Sequence, residues 1–424
     1  MAYRTIIFVL FIIFFQNVCL GKTDSLEILK KLQKDIDSIV NNAISKEAFP
    51  GCVIYASYQG KPFVHMAFGF HTYDSVRSVY SSDIYDLASL TKVTASTVAL
   101  MRLFEQGLID LEAPIKDYVD GLGWSKVGRV TIREALAHQG GIKSWIKYYE
   151  EIQRRNQKYR NKTISNTYSE EYPFKVSENQ FLHKDFYQKI KKMIRKSEVT
   201  KNPNYVYSGL FFYLVPEIIY KLTGEQFDEF LSHHFYDSMD LETLGFNPTE
   251  KFDLLRIVPT EIDTFFRHSP IHGVVHDEGA ILMKGVSGNA GLFSNARDLG
   301  KFWEMLLTDG WSGGYSYLKP ATLELFTAPQ YSNFDNRRGL GFDRPLLVYD
   351  SIRSSVAKSA SVRSFGHSGY TGTLAWADPD YDLVFIFLSN RVYPNREQRA
   401  LYDLNVRPEI HQLIYDYLEA TKEN

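Results

Sequence analysis

Apolar residues recur along this chain with two different spacings. Between Ser25 and Ser45 they return every three or four positions, which predicts a helix. Two runs rich in β-branched and aromatic residues, Cys52–Tyr58 and Pro62–Gly69, are separated by Gln59-Gly60-Lys61, which predicts a hairpin. Further helices are predicted over Ser89 to about Gly107, residues 131–137, Leu210–Leu222 with a kink at Pro216, Ala296–Leu307 and about Glu409–Thr421.

Strand-like runs return near the other end of the chain, at Leu374–Asp378 and Leu383–Ser389. We therefore predict one sheet assembled from both chain ends and flanked by helices, in the α/β (α+β) class, with a large, mainly helical subdomain inserted. The sheet subdomain is expected at residues 22–88 and about 290–424, and the helical subdomain at about 89–289.

One segment of the helical region differs in composition. Between residues 145 and 201 the chain is rich in Tyr, Lys, Glu, Asn and Gln. We predict a mainly helical, solvent-facing insertion there. Two interpretations are open, a lid over a site and a variable surface excursion without a role.

The N-terminus has the pattern of a secretory signal. Arg4 precedes an apolar run over residues 5–15, and a small residue, Gly21, follows. We predict a signal peptide over residues 1–21 and an exported protein, periplasmic or extracellular. The alternative is a membrane anchor that is left in place, although the run is short for a bilayer span. Cys19 is a candidate for lipid attachment.

Composition narrows the class of protein. The chain has 424 residues, of which 44% are apolar and 23% charged, with a formal net charge of -2. These values are typical of a globular protein with a deep core, and no cluster of basic residues indicates a nucleic-acid partner. Cys19 and Cys52 are the two cysteines, so the chain cannot form an internal disulfide once a signal is removed.

The first candidate for chemistry is the segment Asp86-Leu87-Ala88-Ser89-Leu90-Thr91-Lys92 at the start of a predicted helix. Ser89 and Lys92 are three positions apart, and such positions lie side by side on one helix face. A hydroxyl beside an amine is the arrangement of an activated serine nucleophile. The pattern alone is weak, because an N-cap serine or a buried serine gives the same spacing.

Two further clusters favour the catalytic interpretation. Tyr205-Val206-Tyr207-Ser208-Gly209 directly precedes an apolar helix, where Tyr207 can act as a base beside a cation. Phe365-Gly366-His367-Ser368-Gly369-Tyr370-Thr371-Gly372-Thr373 precedes the β run at Leu374. Its glycines allow the backbone to approach a ligand, and the Tyr370 amide can point at a developing oxyanion. The alternatives are a packed aromatic residue and a β-bulge.

Together the three clusters resemble the motifs of the penicillin-recognising serine hydrolases. The most similar branch is the class C β-lactamase and penicillin-binding-protein-like group, which includes D-aminopeptidases and esterases. The likeness covers about residues 35–395 and implies the fold of that family. It includes Phe49-Pro50-Gly51, Gly107-Leu108-Ile109-Asp110-Leu111, Ala137-His138-Gln139-Gly140-Gly141-Ile142, Val275-His276-Asp277-Glu278 and Ala290-Gly291-Leu292-Phe293-Ser294.

The resemblance implies a role for each motif. Ser89 would be the nucleophile that forms an acyl-enzyme, and Lys92 the adjacent cation that shares its proton. Tyr207 would be the general base and the proton donor to the leaving group, and His367 would replace the usual lysine of the third motif. The backbone N–H groups of Ser89 and Tyr370 would form the oxyanion hole. The implied substrate-binding positions are Ser368, Gly369, Gly209 and Gln139.

Two positions depart from the family's pattern. The second motif usually continues with an Asn or Asp that hydrogen-bonds the acylamide of a substrate, but Gly209 stands there, and Asn289 stands where a histidine is frequent. We expect a hydrolase for D-amino-acid-containing cell-wall peptides, β-lactam-like amides or small esters. The alternative is a catalytically silent protein that binds peptidoglycan fragments, which Gly209 favours.

A metal site is a further alternative. His268, His272 and His276 are spaced four apart, as ligands on a helix are. Pro270 and Gly273 argue against a helix there, so we expect no metal and no cofactor. The expected partner is a small-molecule or peptide substrate, with a membrane tether only through the N-terminus.

Overall fold

The computed structural model describes residues 26–154, 158–201 and 205–422. The strands in this part of the chain are β1 (Gly51–Tyr58), β2 (Lys61–Gly69), β3 (Tyr85–Asp86), β4 (Ile164–Ser165), β5 (Phe174–Ser177), β6 (Gln180–Leu182), β7 (Gly245–Phe246), β8 (Glu261–Asp263), β9 (Ser269–Ile271), β10 (Leu292–Ser294), β11 (Trp311–Ser312), β12 (Tyr315–Ser316), β13 (Phe365–Ser368), β14 (Leu374–Asp378) and β15 (Leu383–Ser389). The α-helices are α1 (26–45), α2 (Val98–Glu105), α3 (Ile132–Leu136), α4 (Phe186–Lys196), α5 (Val215–Thr223), α6 (Phe227–Leu231), α7 (Glu278–Ile281), α8 (Ala296–Leu307), α9 (Pro320–Thr327), α10 (Ala400–Asp403) and α11 (Val406–Lys422).

A five-stranded antiparallel sheet in the order β13–β14–β15–β1–β2 forms the centre of the fold. The predicted hairpin is confirmed as β1 and β2, and the predicted late strands as β14 and β15. β1 pairs with β15 in a register that runs from Cys52 opposite Ser389 to Tyr58 opposite Leu383. The two ends of the chain therefore complete one sheet, as the sequence predicts.

Each face of the sheet buries a separate hydrophobic core. Because side chains alternate along a strand, Val53 and Tyr55 of β1 belong to one core, while Ile54 and Ala56 belong to the other. α8 packs in the first core, and α1 and α11 pack in the second. A Cβ at Gly300 of α8 would come within 2.4 Å of the Tyr55 ring, which explains a glycine inside this helix.

His411 of α11 is fully buried in the second core and stacks on Phe385, with 4.5 Å between the ring centroids. Burial lowers the pKa of its imidazole to about 3. The unfolded chain takes up a proton near pH 6.5 that the folded chain does not, so the free energy of unfolding falls as the pH drops from about 6.5 toward 3.

Replacing this side chain, His411→Phe, should remove the titration and keep the stacking. We expect the loss of unfolding free energy between about pH 7 and pH 5 to shrink by about 2 kcal/mol. Urea unfolding at the two pH values measures this difference. An unchanged pH dependence would show that the buried imidazole does not titrate as described.

Several predicted helices are confirmed, and one predicted kink is wrong. α3 begins at a capping box in which the Thr131 hydroxyl accepts from the Glu134 amide and the Glu134 carboxylate accepts from the Thr131 amide. α5 ends at Gly224, whose φ of 80° provides a left-handed C-cap. Pro216 lies in the first turn of α5, where its missing N–H is not needed, and therefore does not kink the helix.

The insertion at residues 145–201 is not mainly helical, contrary to the prediction. Among its described residues α4 is the single α-helix, and β4, β6 and β5 form a three-stranded sheet. Phe174 pairs with Leu182 across the β5–β6 hairpin. A strand of three or four residues gives an alternation of apolar and polar positions that is too short to recognise within a polar segment. The sequence pattern therefore did not reveal these strands.

The predicted signal peptide over residues 1–21 and the candidate lipid site at Cys19 lie outside the described residues and stay predictions. None of the helices in the described ranges combines the length and the apolar character that crossing a bilayer requires. Cys52 lies in β1, and burial raises the pKa of its thiol well above the usual value.

Candidate active site

Ser89 lies in a short 3-10 helix, Ala88–Leu90, at the start of the helical segment that ends with α2. Residues three apart are eclipsed in this type of helix, so Lys92 returns to the side that carries Ser89. Lys92 Nζ donates to Ser89 Oγ at 3.0 Å. The structure therefore brings the first two predicted residues into direct contact.

The residue before Ser89 has a strained backbone that is held from inside the protein. Ala88 has a φ of 47°, in the left-handed region that alanine disfavours. Oδ1 of the buried Asp86 accepts from the Ala88 amide at 2.8 Å, and its Oδ2 accepts from the His276 amide at 2.6 Å. Burial raises the pKa of Asp86. These bonds fix the turn that presents Ser89, a kind of strain that is typical of functional sites.

Lys92 is only 2% exposed, and its ammonium has a second acceptor. Nζ donates to the Asn289 carbonyl at 2.8 Å. The Asn289 side chain donates to the Tyr213 hydroxyl, which donates to Asp277, each at 3.0 Å. This chain of bonds gives Asn289 a role at a position where the sequence suggested none, because it fixes the carbonyl that holds Lys92.

Tyr207 lies beside Lys92 and is positioned by His138. Lys92 Nζ is 5.5 Å from the centroid of the Tyr207 ring. The His138 carbonyl accepts from the Val206 amide and its Nδ1 accepts from the Ser208 amide, each at 3.1 Å. The His138 and Tyr207 rings have centroids 4.5 Å apart. His138 therefore holds the backbone on both sides of Tyr207 and packs against its ring.

Arg338 is a buried cation at this site that sequence reasoning missed. Its Cζ is 5.1 Å from the centroid of the Tyr207 ring, and its Nε donates to the Tyr205 hydroxyl at 2.8 Å. Its Nη2 is 3.2 Å from a carboxylate oxygen of Asp343. Although burial opposes it, the charge of Asp343 raises the pKa of the Arg338 guanidinium. A permanent positive charge is thereby held against Tyr207.

His367 lies on β13 and is 3% exposed. Burial lowers the pKa of its imidazole to about 3, with help from the charges of Arg338 and Lys92. The ring is therefore neutral, and since Nδ1 donates to the Ser368 carbonyl at 2.7 Å, Nε2 carries the lone pair. Its centroid is 5.9 Å from that of Tyr207. His367 therefore supplies no positive charge, and the cations in this part of the site are Arg338 and Lys92.

The loop after β13 is held against the turn that carries Ser89. Thr373 Oγ1 donates to the Leu87 carbonyl at 3.1 Å. A Cβ at Gly369 would come within 2.6 Å of the same carbonyl, so this close approach requires glycine. Tyr370, the next residue, lines the same cavity as Ser89, and the oxyanion hole predicted from their two amides stays a prediction.

Ser89, Lys92 and Tyr207 share one cavity of about 380 Å³. A Cβ at Gly209 would meet only Lys92 Cε, at 4.0 Å, so the absent side chain leaves open space in this cavity. Two aromatic side chains that also line it, Trp145 and Tyr370, are 42% and 48% exposed. The cavity is therefore open to solvent between flat apolar surfaces.

An ionic network forms part of the cavity wall. Arg396 Nη1 is 2.8 Å from Glu278, and its Nη2 is 2.6 Å from Glu261. His276 Nε2 also contacts Glu261, at 2.7 Å. Although burial alone would raise it, hydrogen bonds from His276 and Arg396 lower the pKa of Glu261 to about 2. The carboxylate is thus ionised and fully engaged by its neighbours.

The three histidines with helical spacing do not converge. His268 and His272 flank β9, and no helix covers the stretch up to His276. His272 Nε2 is 2.7 Å from the Ile257 carbonyl, whereas His276 contacts Glu261. In the part of the chain that the structure describes, no group of three or more His, Cys, Asp or Glu side chains is arranged to hold a metal ion.

Two predicted substrate-binding side chains do not line the cavity. Gln139 is buried, and its Oε1 accepts from the Asn336 side chain at 2.9 Å. Ser368 is half-buried at the end of β13, where its carbonyl accepts from His367. Gly369 acts through the close approach of its backbone to the turn before Ser89. Substrate contacts at these positions stay predictions.

Comparison with known proteins settles the family. A family model described as "Beta-lactamase" matches residues 36–407. The chain belongs to the β-lactamase family. The predicted family resemblance is thereby confirmed.

Relatives and solved structures of the family agree with this assignment. The chain is 31% identical over 389 residues to N-acetylmuramyl-L-alanine amidase of Bacillus subtilis (strain 168), covering 85% of this chain and 81% of the relative. It is 29% identical to a protein of Escherichia coli (strain K12) named as a D-alanyl-D-alanine carboxypeptidase, covering 73% and 69%. A penicillin-binding protein homologue from Caulobacter crescentus matches with a TM-score of 0.62 at 17% identity, over 90% of this chain and 98% of that one, which confirms the fold class.

Proposed function

We propose that this member of the β-lactamase family is an exported serine hydrolase that forms an acyl-enzyme on Ser89 and cleaves amide bonds in cell-wall peptide fragments. The observation that carries the proposal is the 3.0 Å contact between Ser89 Oγ and Lys92 Nζ in the cavity. A buried ammonium in contact with the hydroxyl stabilises the negative charge that develops on the attacking oxygen. Tyr207 lines the same cavity. Its hydroxyl is the group that would take the proton from Ser89 and pass it to the leaving amine.

Acyl transfer would proceed in two steps. In the first, Ser89 Oγ attacks the carbonyl carbon of the scissile bond while its proton passes to the tyrosinate form of Tyr207. The amides of Ser89 and Tyr370 would donate to the oxyanion of the tetrahedral intermediate. Tyr207 then returns the proton to the leaving amine as the C–N bond breaks. In the second step, water attacks the ester on Ser89, a proton of the water passes by way of Tyr207 to Ser89 Oγ, and the acid is released as the bond between the acyl carbon and Oγ breaks.

The positive charges around Tyr207 support its role as the base. Lys92 Nζ and Arg338 Cζ are 5.5 Å and 5.1 Å from its ring centroid. Both charges attract the negative charge that Tyr207 carries when it accepts the proton, and burial strengthens the attraction. His367 is neutral and points its one ring proton at the Ser368 carbonyl, so it does not donate a proton to Tyr207.

The substrate class is supported by two relatives and by the cavity. One relative is named for cleaving N-acetylmuramyl-L-alanine and another for D-alanyl-D-alanine carboxypeptidase activity. The exposed rings of Trp145 and Tyr370 offer flat faces on which a sugar or an alkyl group can pack. Our proposal therefore includes muramyl amides and D-amino-acid-containing peptides as the main substrates, with β-lactam-like amides and small esters as poorer ones.

The test is hydrolysis of defined substrates. Purified protein is incubated separately with N-acetylmuramyl-L-alanine, a peptide that ends in D-Ala-D-Ala, and a nitrophenyl ester, and the products are identified by mass. We expect alanine to be released from at least one amide, and no release by Ser89→Ala. Cleavage of the ester alone would overturn the substrate class. Cleavage of none would favour the silent, peptidoglycan-binding alternative.

Export is the second part of the proposal. It is supported by Arg4, the apolar residues 5–15 and the small residue Gly21. The mass of the N-terminus after expression in an exporting host tests it. A mature chain that starts at Lys22 is expected. A mature chain that starts at a lipid-modified Cys19 would show that the exported protein is anchored to the membrane.

Gly209 makes a separate prediction about substrate recognition. Because a Cβ there meets only Lys92 Cε at 4.0 Å, the cavity has room for an asparagine side chain. Gly209→Asn is expected to raise the rate of acylation by a fluorescent penicillin about tenfold, the effect of one hydrogen bond to the acylamide. Gly209→Ala adds the Cβ without the amide and is the matched control. Equal rates in the two variants would mean that the added amide does not reach the substrate.

A further inference from the structure

The loop before β13 exposes a cluster of apolar side chains. Leu347, Val348, Tyr349, Ile352 and Val362, which we call the apolar loop, are between 41% and 85% exposed. Scattered apolar residues are normal on a protein surface, but several within one loop mark a surface that contacts a partner. Nothing in the acyl-transfer site accounts for them.

The structure holds these side chains outward with specific bonds. Oδ1 of Asp350 accepts from the Ile352 amide at 2.8 Å and so closes the turn at the tip of the loop. Ser361 Oγ donates to Asp378 of β14 at 2.7 Å. Between these two points Val356 is buried in the second core. The apolar loop is therefore anchored at its tip, its middle and its end, and its exposure follows from that anchoring.

The strand register places the apolar loop at one end of the sheet. Phe365, the first residue of β13, lies opposite Ala377, which lies opposite Val384. Val384 in turn lies opposite Ser57, next to the last residue of β1. β13 runs from this end toward the loop of Tyr370, which is held against the turn that carries Ser89. The apolar loop therefore leads into one end of β13, and the loop of Tyr370 leaves from the other end.

The N-terminal helix enters the structure at the same end as the apolar loop. α1, residues 26–45, spans about 30 Å at 1.5 Å per residue and is buried against the sheet. Five residues join it to Gly51 at the far end of β1. A Cβ at Gly69, which lies opposite Gly51, would come within 2.9 Å of Ile44, so the last turn of α1 lies at the Gly51 end of the sheet, and we infer that residue 26 lies toward Tyr58. The apolar residues 5–15 precede this point in the sequence.

The charged side chains around the apolar loop indicate which kind of surface it contacts. Residues 344–363 contain four basic side chains and one acidic side chain, Asp350. Arg353 and Lys358 are exposed and form no ion pair within the described residues, whereas Arg363 pairs with Asp380 at 2.9 Å. Apolar side chains that protrude between unpaired cations match a bilayer whose headgroups are anionic.

We propose that the apolar loop inserts into the surface of an anionic lipid bilayer and orients the enzyme on it. Leu347, Val348 and Ile352 enter the boundary between headgroups and acyl chains, while Arg353 and Lys358 contact the anionic headgroups. The loop of Tyr370, which lines the cavity, leaves from the opposite end of β13, so the cavity stays accessible from the aqueous side.

Vesicle sedimentation tests this proposal with the exported chain. Wild-type protein should sediment with vesicles that contain phosphatidylglycerol, and less with pure phosphatidylcholine or in about 1 M salt, where the Debye length is about 3 Å. The variant Leu347→Ser/Val348→Ser/Ile352→Ser should lower the partition coefficient about a hundredfold or more, because three apolar side chains no longer enter the bilayer. Val76→Ser, at a valine that is 84% exposed elsewhere, is the matched control and should leave binding unchanged.

Several results would overturn the proposal. It fails if the wild-type protein does not sediment with anionic vesicles, or if the triple variant binds as the wild type does. It also fails if, without lipid, the wild type forms a dimer that the triple variant does not form, since a second copy would then be the partner. Because wild type and variants share one N-terminus, residues 5–15 cannot produce the expected difference between them. Ester hydrolysis by each variant, which does not depend on lipid, shows that it is folded.

Discussion

Replacing the nucleophile, Ser89→Ala, is expected to lower kcat by a factor of about 10⁵ or more, because no acyl-enzyme can form without Oγ. Thr91 cannot take over, since its hydroxyl is fully buried and donates to the Ala88 carbonyl at 2.7 Å. The measurement is kcat on the best amide or ester substrate, together with the urea midpoint of both proteins. The midpoint should change little, since the substitution removes one hydroxyl from a half-buried position.

Ser144→Ala is the matched control for this experiment. Ser144 lines the same cavity but makes no contact with Lys92. We expect its kcat to change by less than about tenfold, the effect of a group that does not react. If Ser89→Ala retained more than about one per cent of the activity, Ser89 would not be the nucleophile.

The largest effect on stability is expected from Asp343→Asn. Asp343 faces the buried Arg338 at 3.2 Å and is the carboxylate that compensates the charge of this guanidinium inside the protein. The amide leaves Arg338 as a buried charge without a counter-ion, which costs about 3–5 kcal/mol in the free energy of unfolding at neutral pH. The Arg338 charge, opposed by burial, lowers the pKa of Asp343, so the stabilisation is present at neutral pH and is lost as the pH falls below about 4.

An exposed pair provides the control for this prediction. Arg363 and Asp380 are 2.9 Å apart, with the arginine side chain 68% exposed. Asp380→Asn should therefore cost less than about 1 kcal/mol. Adding Arg338→Met to Asp343→Asn should recover part of the loss, because it removes the unpaired charge. Equal losses for Asp343→Asn and Asp380→Asn would contradict a buried charge pair at the site.

The elements that the sequence predicted correctly have patterns that are both long and regular. β1 and β15 are runs of eight and seven residues, and both appear as near-continuous apolar stretches because both faces of the sheet are covered. We predicted that the two chain ends pair because the sequence between them contains no run of comparable length and regularity. The short strands β4, β5 and β6 gave no such signal, and Pro216 looked like a kink because the helix start was placed several residues too early.

In the candidate site, too, the sequence predicted the local contacts and missed the long-range ones. The contact between Ser89 and Lys92 is local, so their spacing alone predicted it. Arg338 contacts Tyr205 from 133 positions away in the sequence, and Asn289 holds Lys92 from 197 positions away. No local pattern encodes such contacts, since they depend on how the helical region folds against the sheet.

The chemistry of His367 was also beyond the sequence. The resemblance implies that His367 replaces a lysine and leaves its charge open, and in the structure the ring is neutral because it is buried near the cations Arg338 and Lys92. Burial and neighbouring charges set a pKa together, and both are properties of the folded chain. The same holds for Arg338, whose buried charge is compensated by the carboxylate of Asp343, a contact that exists only in the folded chain.

The central claim is that Ser89 forms a covalent acyl-type intermediate. The most direct test is the mass of the intact protein after incubation with a fluorophosphonate, followed by mapping of the modified peptide. We expect one adduct per chain, located on Ser89 and absent from Ser89→Ala. The absence of any adduct, or an adduct on another residue, would contradict it.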